Sequence, residues 1–277
     1  MTSNATWAAA VILTAGLAAA SPANATWTFT GTGGVAASAT NNNIGITTVS
    51  GYEATGGGTG ANWTSNSLLF YSGGGLAMNS DGATSPNHAI DNNGNTEAVL
   101  LGFSSSVVLS NISLGYATNG ASGCPNSCVQ TAVDASVFRY TGTLATPTLG
   151  SIGSMDGWEL VGNYGDLTKG GGNSVNVSGS GATTNTTGGS GGKGSSWWLI
   201  SAYNSNFGSA SQSRGSLDSG NDYFKILAVS GTKCTSTQPG VCGGGTQVNQ
   251  TPEPASIGLI GVSLLGLAGS RRRHRQV

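Results

Sequence analysis

Charge is scarce in this sequence. Lys, Arg, Asp and Glu together supply 8% of the 277 residues, against about 25% in an ordinary soluble domain. The basic residues are also unevenly placed, with Arg271, Arg272, Arg273 and Arg275 crowded at the extreme end. Between the two ends stand Arg139, Lys169, Lys193, Arg214, Lys225 and Lys233, outnumbered there by carboxylates. No basic stripe can follow a phosphate backbone, so nucleic acid is excluded as a partner. Proline is sparse at seven residues, and several runs are rich in aromatics. With so little charge, this composition excludes a wholly disordered chain. Outside the last residues there is one histidine, His88. No amphipathic helical stripe of useful length appears either.

Glycine is plentiful, at 47 residues, more than twice the common share of about 7%. Solubility must come from Asn, Ser and Thr. These residues and Gly all compete with helical backbone bonding, which points to an all-β protein.

The N-terminal end carries an uncharged, mostly apolar run over 8–20, AAAVILTAGLAAA, followed by Ala23-Asn24-Ala25. The run is too short to span a bilayer comfortably but fits the core of a signal peptide, with an A-x-A cleavage site behind it. Residues 1–25 are therefore expected to be a signal peptide, handled by the Sec translocon and signal peptidase. The preceding TSNATW departs from the pattern in having no Lys or Arg.

The other end reads TPEPASIGLIGVSLLGLAGSRRRHRQV. Pro252-Glu253-Pro254 precedes an uncharged run over 255–270, then the arginines of 271–275. Sixteen helical residues reach about 24 Å, short of the roughly 30 Å hydrocarbon core. Snorkelling arginine stems close part of that gap. Charge placement puts Arg271, Arg272 and Arg273 in the cytoplasm and the rest outside. This tripartite tail, 251–277, resembles the PEP-CTERM sorting signal of Gram-negative bacteria. The resemblance implies recognition by an exosortase, a membrane-embedded cysteine transpeptidase that processes the tail near Pro252, Glu253 and Pro254. It also implies an inner-membrane precursor, and a final place at the cell surface or in an exopolysaccharide-rich biofilm matrix.

The segment 26–250 alternates short apolar runs with turn residues. Strands are expected at 26–30, 67–71, 97–103, 111–116, 135–140, 157–161, 196–203 and 222–229. In Trp197-Trp198-Leu199-Ile200 both alternating faces are apolar, as in a strand covered on both sides. Many short strands with glycine-rich turns predict a single β-sandwich, jelly-roll-like, with long Gly/Ser/Thr/Asn-rich loops. Residues 165–195 read as one such loop, with one short strand at 174–177. The runs HAIDNNGNTEAVLLGF, SSWWLISAYNSNFG and NDYFKILAV resemble a sub-family of exosortase-dependent surface proteins, which brings no activity with it.

Export makes disulfides the leading reading of the four cysteines. Cys124 with Cys128 and Cys234 with Cys242 are the local pairs, one of three connectivities. Zinc fits poorly, because C-x3-C with C-x7-C is loose spacing and histidine is nearly absent. Asp91, Asn93, Asn95 and Glu97 offer oxygens at alternate positions, as calcium loops do. Glycine falls at the fourth place and Gly102 stands where a closing glutamate belongs, so an EF-hand is excluded. What remains is an Asx-rich turn or a calcium site completed by Asp134. His88 has no nucleophile elbow beside it. Gly31–Ala36 imitates a dinucleotide fingerprint, but SATNNNIG cannot form the helix it needs. Trp63, Trp158, Trp197 and Trp198 are either core or sugar-stacking faces.

Three functions follow in order. The first is a non-catalytic, exported surface or matrix protein without a cofactor. The second is a lectin-like module for exopolysaccharide, with calcium. The third is a secreted glycan hydrolase or lyase.

Overall fold

The computed structural model describes residues 25–31, 35–37, 44–79, 88–119, 131–175, 192–208, 213–236 and 240–243. The expected signal-peptide residues up to Ala23, the cysteines Cys124 and Cys128, and the whole sorting tail lie outside them. The strands are β1 (Ala25–Phe29), β2 (Val35–Ala37), β3 (Ile46–Thr55), β4 (Trp63–Asn66) and β5 (Leu68–Tyr71). They continue with β6 (Gly75–Met78), β7 (Ile90–Asp91), β8 (Asn95–Asn119), β9 (Thr131–Tyr140) and β10 (Trp158–Thr168). The last are β11 (Gly170–Ser174), β12 (Gly194–Ala202), β13 (Ser213–Arg214), β14 (Asp222–Lys233) and β15 (Cys242–Gly243). Among the described residues the one helical element is the 3-10 turn Ser205–Phe207, and no helix is long and apolar enough to cross a membrane.

The protein is all-β, and hydrogen bonding joins the strands into one 15-stranded sheet with the central order β13-β10-β9-β12-β8-β14-β1-β2. Its spine is β8, 25 residues long. The expected strands 97–103 and 111–116 are two parts of this one strand. Its first half pairs with β3 and β12, as in Gly51↔Val99 and Ile200↔Val99. Its second half pairs with β14 and β11, as in Val229↔Ile112 and Asn173↔Ile112. Polar Ser104, Ser105 and Ser106 sit between the two halves, exposed or half-buried, where the partners change.

Alternation then sorts the side chains. Val99, Leu101 and Phe103 from the first half, and Leu109, Ile112 and Leu114 from the second, join one core with Trp27, Trp198, Phe224 and Ile226. Trp27 meets Phe103 edge to face, ring centroids 4.9 Å apart, and its Nε1 donates to the Ile44 carbonyl at 2.9 Å. The opposite face of the first half carries Ala98 and Leu100, which cluster with Phe138 of β9, Leu199 of β12, and Leu149 and Ile152 from the β9–β10 connection. Trp198 and Ile200 thus face one core while Leu199 faces the other, which is why both faces of β12 are apolar.

The glycine-rich stretch 165–195 needs correction as a loop. Residues 165–168 finish β10, 170–174 form β11, and β12 already begins at Gly194. Side-chain volume explains the difference. A Cβ on Gly165 would stand 2.7 Å from the Ser216 carbonyl oxygen, so glycine there permits close strand packing. Asn173 replaces missing ladder bonds by accepting from the Thr168 N–H at 3.0 Å and donating to its carbonyl at 2.9 Å.

Candidate functional site

The described polar chemistry concentrates at one end of the sheet. The turn between β7 and β8 begins it. Asp91 Oδ1 accepts from the Asn93 N–H at 2.9 Å, an Asx turn that Gly94 completes at φ 80°. Glu97 Oε2 accepts the Asp91 N–H at 3.1 Å, so these two buried carboxylates flank the turn. Asn95 faces elsewhere: its Oδ1 accepts from the Gly56 N–H and its Nδ2 donates to Glu53. Asn93 Oδ1 takes a bond from Asn221. Each of the four alternate residues therefore holds backbone or neighbouring side chains in place. Among the described residues no three His, Cys, Asp or Glu side chains gather as a metal site.

Of the carboxylates beside this turn the sequence offered Asp134, as a completing calcium ligand, but its spacing did not reveal Asp166, Asp218 or Asp222. Asp134 lies on β9, Asp222 opens β14, and a bulge in β10 between Tyr164 and Leu167 sets Asp166 in a left-handed conformation, φ 57°. Asp is among the few residues that adopt that region readily. Asp134 accepts from the N–H groups of Asp166 at 3.2 Å and Asp218 at 2.8 Å. Its own N–H goes to Asp222 Oδ1 at 2.7 Å. Asp166 accepts from Ser216, and Asp218 from Gly220 and Asn119. Asn92 closes the set, donating to Asp222 Oδ2 while accepting from the Asp222 N–H. Burial pushes the Asp222 carboxyl up to about 8, and the charges of Asp134 and Asp218 add to that against the hydrogen bonds it accepts. Burial likewise raises Asp134. These carboxylates bind backbone N–H groups and fasten the segment 215–222 to the sheet end.

A polar cleft of about 740 Å³ opens beside them, lined by Asn92, Thr96, Tyr203, Asn204, Asn206 and Asp218 among others. Asn204 spans it, donating to the Gly57 carbonyl at 2.7 Å and to Thr96 at 2.6 Å. The tryptophans are elsewhere. Trp198 is buried, with Nε1 shared between the Val107 and Ser195 carbonyls. Trp158 and Trp197 are half-buried, and their ring N–H groups bond the Thr148 and Ala145 carbonyls. Trp63 is buried and stacks on Phe207.

At another part of the molecule, Cys234 and Cys242 form a disulfide. Arg139 anchors the loop they close. Its guanidinium donates to the carbonyls of Gly194, Gly240 and Val241 and pairs with Glu159 at 2.6 Å. Lys193 is the second cation on Glu159. Burial alone would raise the Glu159 carboxyl, but Lys193 and Arg139 outweigh it and hold the group below its ordinary value.

Pro252, Glu253 and Pro254 and the arginines that follow form the remaining predicted site. No curated protein and no solved structure matches the chain. Residues 250–273 match the family described as the PEP-CTERM protein-sorting motif. The chain therefore carries the tail of an exosortase-sorted protein, addressed for export to the cell surface or beyond.

Proposed function

We propose that this protein is a non-catalytic component of the cell surface or biofilm matrix. The observation that carries the reading is the sorting motif at 250–273. The carboxylate cluster agrees with it, since Asp134, Asp166 and Asp218 each accept backbone N–H groups that shape loops. In this reading the Sec translocon exports the chain and signal peptidase cuts after Ala25. That cut leaves Thr26 at the start of β1, opposite Ser230 of β14. The run 255–270 then holds a precursor in the inner membrane until the exosortase acts. The sheet folds over along β8 as a jelly-roll-like sandwich, a geometry supported by the one core that both halves of β8 share.

The test is fractionation of the producing cells together with reducing-end release from their native polysaccharide. Retention in the matrix without new reducing ends is expected. Release of reducing ends would replace this reading with a glycan hydrolase or lyase. The polar cleft between Asn92 and Asn206 favours a second reading, a lectin-like module for exopolysaccharide. Loss of matrix retention on shaving neutral sugars from the polysaccharide would support it.

A further inference from the structure

Three separate holds fasten β15 to the middle of the sheet. It runs parallel to β12, with Gly194 opposite Cys242 and Ser195 opposite Gly243, and the Gly194 N–H donates to the Val241 carbonyl at 2.7 Å. The Cys234–Cys242 disulfide ties it to the residue that follows β14. Cys234 is buried there, and its N–H donates to the Ser106 carbonyl of β8 at 2.9 Å. Arg139 of β9 donates to the carbonyls of Gly240 at 2.8 Å and Val241 at 2.9 Å. Glycine at 194 makes the room, since a Cβ there would stand 2.5 Å from the Cys234 sulfur. A disulfide across so short a loop constrains the unfolded chain little. Its effect is local, and sets where residues 240–243 lie.

Little chain separates this fixed point from the sorting tail. The matched motif begins at residue 250, and Pro252 is nine residues beyond Gly243. Fully extended, nine residues reach about 30 Å at most. Without the fastening the last hold would be Cys234, eighteen residues before Pro252, and the reach would be about 60 Å. The loop thus halves the distance at which the motif can stand from the folded sheet. A tethered segment that cannot span the distance to a site has an effective concentration there near zero. Where the tether starts therefore decides which enzyme positions the motif can meet.

We infer that Cys234, Cys242 and Arg139 are positioning residues for tail processing. They start the tether at Gly243, so that the exosortase acts on Pro252, Glu253 and Pro254 within about 30 Å of the folded sheet. The inference rests on the exosortase reading of the tail, and adds to it where the folded substrate is held.

Tether length separates this role from a merely structural one, with the ratio of precursor to cleaved chain in producing cells as the readout. Deleting 244–249 leaves residues 250–273 intact but brings Gly243 within about 10 Å of Pro252, no more than the spacing of two packed sheets. Full-length precursor should accumulate. Six Gly/Ser residues inserted after Gly243 should restore cleavage. The same six inserted between Cys234 and Cys242 should not, because the disulfide and Arg139 bypass the added length. That loop insertion, in a chain with 244–249 present, should be cleaved normally, which shows that it folds. Adding Cys234→Ser and Cys242→Ser to the deleted, loop-extended chain should return cleavage. Normal cleavage of the deletion, or equal rescue by the two insertions, would overturn the inference, and no return with the serine pair would strike the cysteines from it. The exosortase reading fails separately, if Glu253→Ala leaves cleavage of the otherwise unaltered chain unchanged.

Discussion

Arg139 Nη1 donates to the carbonyl of Val241 at 2.9 Å, across 102 residues of sequence. The same side chain reaches Gly194 and Gly240, so a single buried guanidinium satisfies carbonyls on two segments that the disulfide loop brings together. Arg139→Met should cost about 3–5 kcal/mol, because it strands these carbonyls and removes one of the two cations from Glu159. Urea unfolding of the exported chain measures this. A loss under about 1 kcal/mol would mean that water replaces the guanidinium.

Asp222 should make stability depend on pH in an unusual direction. Its carboxyl moves from 3.8 up to about 8 on folding, so the folded chain holds a proton that the unfolded chain gives up. Its contribution is full below about 3.8 and is lost as pH rises towards 8. Glu159 works the opposite way: its folded value is lowered, so its contribution is present at neutral pH and lost in acid. Urea midpoints should therefore fall between pH 5 and 8 in the wild type, and Asp222→Asn should flatten that slope. An unchanged slope in the variant would assign it to another group.

Calcium should leave the melting temperature where it is. A ligand bound only by the folded state raises stability by about 2.7 kcal/mol at a hundredfold excess over Kd. Asn93 and Asn95 already spend their side-chain oxygens on Asn221 and Gly56. A rise in millimolar calcium that chelator reverses would instead establish the cation site at Asp91, Asn93, Asn95 and Glu97.

The sorting tail should need its own residues. Pro252 and Pro254 keep the neighbouring backbone extended, each lacking an N–H and restricting the residue before it. An extended segment is what a transpeptidase can thread. Glu253→Ala should leave full-length precursor in the inner membrane, while the wild-type chain ends near Pro252. Mass spectrometry of the C-terminus decides between them. A surface-located chain still ending in Arg275-Gln276-Val277 would make the tail an ordinary anchor.

Period and composition carried much of the fold. The apolar runs around Trp27, Phe138, Trp198 and Phe224 all lie in strands. Others escaped because their signal is not apolar alternation. β3 reads ITTVSGYEAT, where threonine and serine fill half-exposed places beside β8. β11 is GGGNS and depends on the Asn173 side chain. In the candidate site, the Asx turn was legible from DNNGNTE. The carboxylate cluster was not, beyond Asp134, because Asp166, Asp218 and Asp222 come from segments that only tertiary pairing joins.

The pairing of β1 with β14 has a consequence for how such a chain leaves the cell. Ala25 meets Gly231, so the first strand waits for a partner some 200 residues further on. β8 too remains half-paired until β14 arrives. Contacts this distant close slowly, because the entropy of the intervening loop must be overcome before they form. On the proposed route through a translocon, which threads only unfolded chain, the polypeptide could not complete its core until β14 had emerged. On that route the order of strands along the sequence would act as a timer, delaying compaction past the moment of crossing.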